Sequence, residues 1–507
     1  MKLNKITIHL LIIVLLSACN NFEELNTNED SATKVNSKLL ATGAIIDIMK
    51  TANGLSFVDS QFLPKYMGWG EGSRGAQYND FGRVSFDNYV TLKNYQLMIE
   101  LAEERDSEAY EALALFLKSF LLYNQTIAVG DIPYTEILKG KENFLTPKYD
   151  NQKDIFKSLI ENLDLSIELF GKASDFEGDP IFGGDVNKWR KVVNAFELRL
   201  LINLSKKVSD AELNVEQKFE QVYKRGILME SNEDNLQLAF SDKSGQLYPF
   251  NIAHNKHFDY PMLSNTLMDI LKKHEDYRMF YFASPSKAKL TEGKTESDFD
   301  SYVGVEVSDP VEDIRAKYVA GEYCGLNKRY IYYEPGEPHI VIGYSEQNFI
   351  LAEAALRGWI QEDASQFYKK AIKAHFEFLN AHTPDDVTYH YGRKITTQII
   401  DDYLQKPSVQ LSGDFTNKLR MVMEQKYVAS FLQLDWQPYY DYRRTGYPLL
   451  PINSETNMNF KEPSKIPVRW LYPQIEFEYN KEQVQKALDS QFGGVDEVNK
   501  LMWILKE

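Results

Sequence analysis

Apolar residues recur at helical spacing over long stretches of the chain. From Ser107, the positions Tyr110, Leu113, Ala114, Leu117, Phe120 and Leu121 share one face, with Ser107 as a candidate N-cap and Gly130 as a stop. A second stripe runs over residues 152–170 through Ile155, Phe156, Leu159, Ile160, Leu163, Ile167 and Phe170. A third, over 187–207, carries Trp189, Val192, Val193, Phe196, Leu200 and Leu204. Ser209-Asp210-Ala211-Glu212 has the form of a capping box, predicting a fourth helix that stops at Gly226. The pattern returns over 345–358, from Asp363 to about Ala381, and over 417–434. Helices in pairs separated by loops predict a mainly α fold of tetratricopeptide-like helix pairs in a superhelical scaffold, although no strict 34-residue repeat is visible.

Two stretches break the pattern. Residues 64–89 are rich in Gly and aromatics, and residues 246–343 in Tyr, Pro, Asp and Ser. Long irregular segments in a compact protein are usually functional or disordered, and the aromatic content argues against disorder. Within the second, Arg329 to Tyr333 and Ile340 to Ile342 flank Pro335-Gly336 and predict a short hairpin. The expected organisation is a helical scaffold over about 37–230 and 344–435, irregular insertions over about 64–89 and 246–343, and a C-terminal wrap over about 440–507.

The first residues have the pattern of an address. Lys2 and Lys5 precede an apolar run from Ile6 to Leu16 that suits a secretory signal and is too short to span a bilayer as a mature helix. It ends in Leu16-Ser17-Ala18-Cys19, the pattern of a lipoprotein cleavage site. Residues 1–18 are therefore expected to be a signal peptide and Cys19 to carry lipid. Phe22-Glu23-Glu24 just after it suits an acidic tether. No later apolar run reads as long enough to span a membrane, so the remainder is expected to be soluble.

Composition narrows the function. The 507 residues carry 57 Lys and Arg against 73 Asp and Glu, a net charge of −16, with no basic block to offset it, which argues against nucleic acid. Two cysteines, Cys19 and Cys324, exclude a disulfide scaffold. The 31 tyrosines suit wet binding surfaces as well as cores. Catalytic signatures such as HExxH, GxSxG and the P-loop are absent from the sequence. Gly70 to Gly75 formally fits a dinucleotide fingerprint but lacks the flanking strand and helix. Glu346 and Glu353 lie two helical turns apart, about 10.5 Å, which suits a solvated or hydrogen-bonded face better than a catalytic pair. Arg443-Arg444 reads as a tie between the C-terminal wrap and helix ends. His254 and His257 have metal-ligand spacing but read as ordinary loop histidines. No catalytic residue, metal or cofactor is expected.

Seven segments, in order, resemble the SusD/RagB family of nutrient-binding outer-membrane lipoproteins, in its second large branch. They are Asn21 to Asn28, although Glu29 stands where Pro often follows; Gly130-Asp131-Ile132-Pro133-Tyr134-Thr135-Glu136; Pro147 to Phe156; Gly183-Gly184-Asp185 with Lys188-Trp189 and Leu198-Arg199; Tyr344-Ser345-Glu346 through Ala355; Gln425-Lys426-Tyr427; and Arg443 to Pro448. The resemblance implies a lipid-anchored, surface-exposed protein of the outer membrane. It also implies pairing with a SusC-like TonB-dependent transporter, over which the lipoprotein closes as a lid on captured oligosaccharide. Peptide cargo for the same kind of transporter is the alternative; a surface hydrolase is a third.

For such a ligand the candidate contacts are Trp69, Arg74, Gln77 and Tyr78 in the first insertion, with His257, Tyr260, Tyr332 and Tyr333 in the second. Trp69 and Tyr78 offer flat faces for sugar rings, and Arg74 and Gln77 offer hydrogen bonds to hydroxyls. The competing expectation is that Trp69 packs beneath its own loop. Tyr330, Tyr332 and Tyr333 are expected to alternate across a strand.

Overall fold

The computed structural model describes residues 35–139 and 144–507. The scaffold is a succession of packed helices: α1 Ser37–Met49, α2 Leu92–Glu100, α3 Ser107–Val129, α4 Gln152–Phe170, α5 Val186–Asn203, α6 Val215–Lys224, α7 Tyr344–Leu356, α8 Ala364–Ala381, α9 Thr397–Gln405, α10 Phe415–Ala429 and α11 Gln437–Thr445. Consecutive members pack as tetratricopeptide-like pairs, α1 on α2, α3 on α4 and α7 on α8, while α7 also meets α5 and α10 and so joins the two halves. The sheets are small two-stranded antiparallel ladders, four among the described residues, and the two longest are β1 Met67–Trp69 with β3 Pro261–Leu263, and β2 Leu236–Leu238 with β4 His339–Ile342.

Local chemistry explains the helix ends. Asn151 accepts from the Asp154 amide at the start of α4, and Asp363 from the Ser365 amide at the start of α8. Gly130 closes α3 at φ 104°, a conformation that favours glycine. By length and composition α3 is apolar enough to cross a membrane, which corrects the sequence expectation that no later stretch is; 83% of its most apolar 18 residues are buried inside the protein, as in the central helix of a folded core. Trp189 of α5 packs beside Phe116 of α3 and Phe170 of α4, and its Nε1 donates to Asp179 at 2.9 Å.

Several boundaries differ from the pattern. Asp106, not Ser107, precedes α3, and Ser107 Oγ turns back to the Glu104 carbonyl. The Ser209 capping box does not open a helix: Asp210 instead accepts the amides of Glu212 and Leu213 in a turn, and α6 starts at Val215. The predicted helix over 417–434 stops at Ala429, because Leu432, Leu434 and Asp435 adopt left-handed φ of 59°, 58° and 44°. The predicted hairpin is also corrected. Lys328–Tyr332 is a short helix started by Asn327, and β4 pairs with β2.

The C-terminal chain crosses the end of α3. Arg443 donates to the carbonyls of Ile127 and Val468, Trp470 N donates to Ala128 O, and the Tyr472 hydroxyl to Asp131 O at 2.7 Å. Arg443 thus fills the tying role its position suggested. Glu346 and Glu353 are both buried in ion pairs, with Arg199 and with Arg444 respectively, and do not form a solvated face.

Candidate aromatic binding surface

The two insertions meet through a backbone ladder. Trp69 of β1 stands opposite Pro261 of β3, and one further bond, Gly70 N to Tyr260 O at 2.9 Å, continues the pairing outward. Aromatic side chains from distant segments therefore collect at one edge.

Trp69 is inside this assembly. It is only 6% exposed, with the Phe62 ring at 6.2 Å, Tyr260 at 5.2 Å and His257 at 6.4 Å. The expectation of an open indole platform is corrected accordingly: partners supplied by a neighbouring short helix and by the second insertion cover the ring. Arg74 lies over both Trp69 and Phe62 and pairs with Asp59, so its guanidinium is largely committed. Gln77 is likewise a buried clamp, accepting the Trp69 amide and donating to Val307 O, each at 3.0 Å. The Tyr78 hydroxyl donates to Asp309 O at 2.9 Å, and burial pushes it up to about 12.

The accessible aromatics lie one layer further out. His257 is exposed and Tyr260 half-buried, their rings 5.2 Å apart and inclined by 30°. Tyr260 meets Tyr318 at 5.7 Å, and Tyr318 meets Tyr323 at 5.5 Å. The hydroxyls of both outer tyrosines donate to Asp259, one to its carboxylate and one to its carbonyl, each at 3.2 Å. The carboxylate of nearby Glu71 holds the Tyr260 phenol above its usual range. On the other side of the same loop, Phe258 faces Tyr332 at 6.2 Å, and Tyr332 is 48% exposed. Tyr333 packs near Tyr389 at 6.0 Å, while Tyr330 is fully buried against Arg329. Tyr330 and Tyr332 thus face different environments from one short helix, not from a strand.

The structure brings Trp69, Arg74, His257 and Tyr260 together, with Gln77 and Tyr78 beneath them, and links Tyr332 through Phe258. Sequence reasoning missed Tyr318, Tyr323 and Phe258. Their only sequence signal was membership of the tyrosine-rich second insertion. Among the described residues no cluster of three or more His, Cys, Asp and Glu could hold a metal ion. The arrangement offers ring faces and edges, phenol donors and carboxylate acceptors on a shallow ridge, which suits a polyhydroxylated ligand lying across it.

A family model for SusD-like proteins, described as starch-binding associating with outer membrane, matches residues 28–473. The chain belongs to the SusD-like family. This membership sets it among nutrient-binding proteins associated with the outer membrane. The crystal structure of a SusD homologue from Bacteroides fragilis is 47% identical, covers 93% of this chain and 100% of its own, and superposes with a TM-score of 0.91. A second B. fragilis SusD homologue is 32% identical over 94% of this chain and all of its own, with a TM-score of 0.82. An outer-membrane protein of Bacteroides vulgatus, given a nutrient-binding role, is also 32% identical over 93% of this chain and all of its own, with a TM-score of 0.84. No curated protein matches the chain. The SusD-like scaffold is thus the helical frame described above. Cys19 and the acidic tether lie outside the described residues.

Proposed function

We propose that this SusD-like protein is a non-catalytic surface lipoprotein, anchored through Cys19, that binds oligosaccharides and passes them to a SusC-like TonB-dependent transporter as its lid. The observation that carries the ligand assignment is the outer aromatic layer: His257, Tyr260, Tyr318 and Tyr323 on one side of the loop, Phe258 and Tyr332 on the other. Apolar sugar faces stack on such rings, and the phenols and Asp259 serve hydroxyls. Each platform contributes modestly, at about 25 cal/mol per Å² of apolar area removed from water. Several in a row favour an oligomer over a single sugar. Closure against a barrel would exclude water and add contacts, converting weak capture into retention.

The test is affinity electrophoresis and calorimetry of the protein against a panel of neutral glycans and of peptides. Glycan binding that Tyr332→Ala and Tyr318→Ala weaken supports the reading. Binding of peptides alone replaces the cargo, and product formation from a bound glycan replaces binding with hydrolysis. Co-purification of a barrel with the full-length protein tests the partner, and mass analysis of the membrane form tests lipid at Cys19.

A further inference from the structure

A separate cavity of about 340 Å³ lies where Tyr277 and Phe299 face α9, and it shares no residue with the aromatic ridge. Its apolar walls are Tyr277, Phe299, Ile399 and Tyr403. That volume is near the lower end for ligand sites, about 300–1,000 Å³, enough for a residue-sized molecule and too small for an oligomer.

The charges on its rim are not all paired within the protein. Lys406 pairs with Glu275 at 3.0 Å and leaves no excess. Arg393 makes no ion pair among the described residues: its Nε donates to Ser297 O at 2.8 Å and its Nη1 to the Tyr277 hydroxyl at 3.2 Å. Its Nη2 has no hydrogen-bond partner there and stays in contact with solvent. The guanidinium is held near three rings, Tyr277 and Phe280 at 5.6 Å and Phe299 at 6.0 Å. Such packing fixes the fork before any ligand arrives, so little ordering cost remains. A purely structural Arg393 would account for Nε and Nη1 and leave Nη2 unused. Asp402, exposed on α9, accepts from Gln398 at 2.8 Å and has no cation partner among the described residues.

Arg393 has Asp298 as a longer-range anionic neighbour but no direct ion pair, and a rim cation and a rim anion without direct ion pairs in an aromatic-walled cavity match a ligand carrying both charges. We infer that this cavity binds a small zwitterion, an α-amino acid with an apolar or aromatic side chain. The carboxylate bonds Arg393, the ammonium faces Asp402, and the side chain packs against Ile399 and Tyr403. This site goes beyond the oligosaccharide reading and does not depend on it.

The test titrates the full-length protein with L-phenylalanine, L-phenylalaninamide and N-acetyl-L-phenylalanine at neutral pH, followed by saturation-transfer NMR. The zwitterion is expected to bind in the millimolar range, with each single-charge analogue at least tenfold weaker. Arg393→Gln is expected to abolish phenylalanine binding. Because that change also frees the Ser297 loop, Asp402→Asn on the exposed helix face serves as the second variant. It should weaken phenylalanine at least fivefold, leave N-acetyl-L-phenylalanine unchanged and leave the melting temperature unmoved. Tyr332→Ala on the ridge should have no effect on phenylalanine. Equal binding of the three compounds, absence of phenylalanine binding by folded protein, or indifference to Asp402→Asn each overturns the inference.

Discussion

Arg444 of α11 donates through Nη2 to Glu353 of α7 at 2.7 Å, and both side chains are almost completely buried. The pair joins the C-terminal chain to the helix that bridges the two halves of the scaffold. Arg357 at 2.8 Å on the same carboxylate, and Asp441 at 3.0 Å on Arg444, complete a network with few spare lone pairs. Burial alone would raise the Glu353 carboxyl, but Arg444, Arg357 and Lys426 outweigh it and hold it at about 2.

Glu353→Ala therefore strands a buried guanidinium. The expected loss is about 3–5 kcal/mol, read from urea unfolding at neutral pH. The sign of the pH effect follows from a folded value below the ordinary 4.5: the stabilisation is complete above 4.5 and is lost as pH falls toward 2. The stability difference between wild type and Glu353→Gln should shrink over that window. A difference independent of pH would contradict the network.

Asp131, in the Gly130-Asp131-Ile132-Pro133 turn, shifts the other way. Burial pushes its carboxyl up to about 7, although its Oδ1 accepts the Gln152 amide at 2.8 Å. A folded value above the ordinary 3.8 means that folding favours the protonated form, so its contribution is complete below 3.8 and is lost as pH rises through about 7. Asp131→Asn can keep the Gln152 contact without the charge. It is expected to be more stable than wild type at pH 8, by on the order of 3 kcal/mol, with the advantage gone near pH 4. Denaturant midpoints at the two pH values check this.

These helices and their order were legible because their apolar stripes repeat at 3.6 residues and their caps are local. The short elements were not. Asn327 starts a five-residue helix that the alternation of Tyr330 and Tyr332 disguised as a strand. Trp69 shows the same limit at the site. Its sequence neighbours are glycines, which suggest an open loop, while the rings beside it, Phe62 and Tyr260, are set by the fold and by the β1–β3 pairing. Tyr318 and Tyr323 reach the ridge through other long-range contacts, among them the Leu263 amide bonded to the Cys324 carbonyl at 2.9 Å, so no local spacing marked them.

The ridge separates structural rings from contact rings. Trp69→Ala is expected to cost about 3–5 kcal/mol in stability, since it empties a buried site between Phe62 and Tyr260. Tyr332→Ala removes a half-exposed ring and should leave the melting temperature within a degree or two while weakening glycan binding by about 1 kcal/mol, roughly fivefold. Thermal melts run beside affinity electrophoresis distinguish the two. The reverse pattern would place the contact surface elsewhere.

Gly70 offers the most selective probe of ridge geometry. A Cβ there would sit 2.4 Å from Tyr318 Cδ2 and 2.7 Å from its Cγ, far inside van der Waals contact. Gly70 does not occupy the left-handed region, so alanine costs little in backbone strain. The clash falls instead on a half-buried side chain that can swing outward, breaking its hydroxyl bond to Asp259 and its contact with Tyr260 at 5.7 Å. Gly70→Ala should therefore weaken glycan binding about as much as Tyr318→Ala, by roughly 1 kcal/mol, and the two changes should not add when combined. Additive losses would show that Tyr318 is not the element through which Gly70 acts.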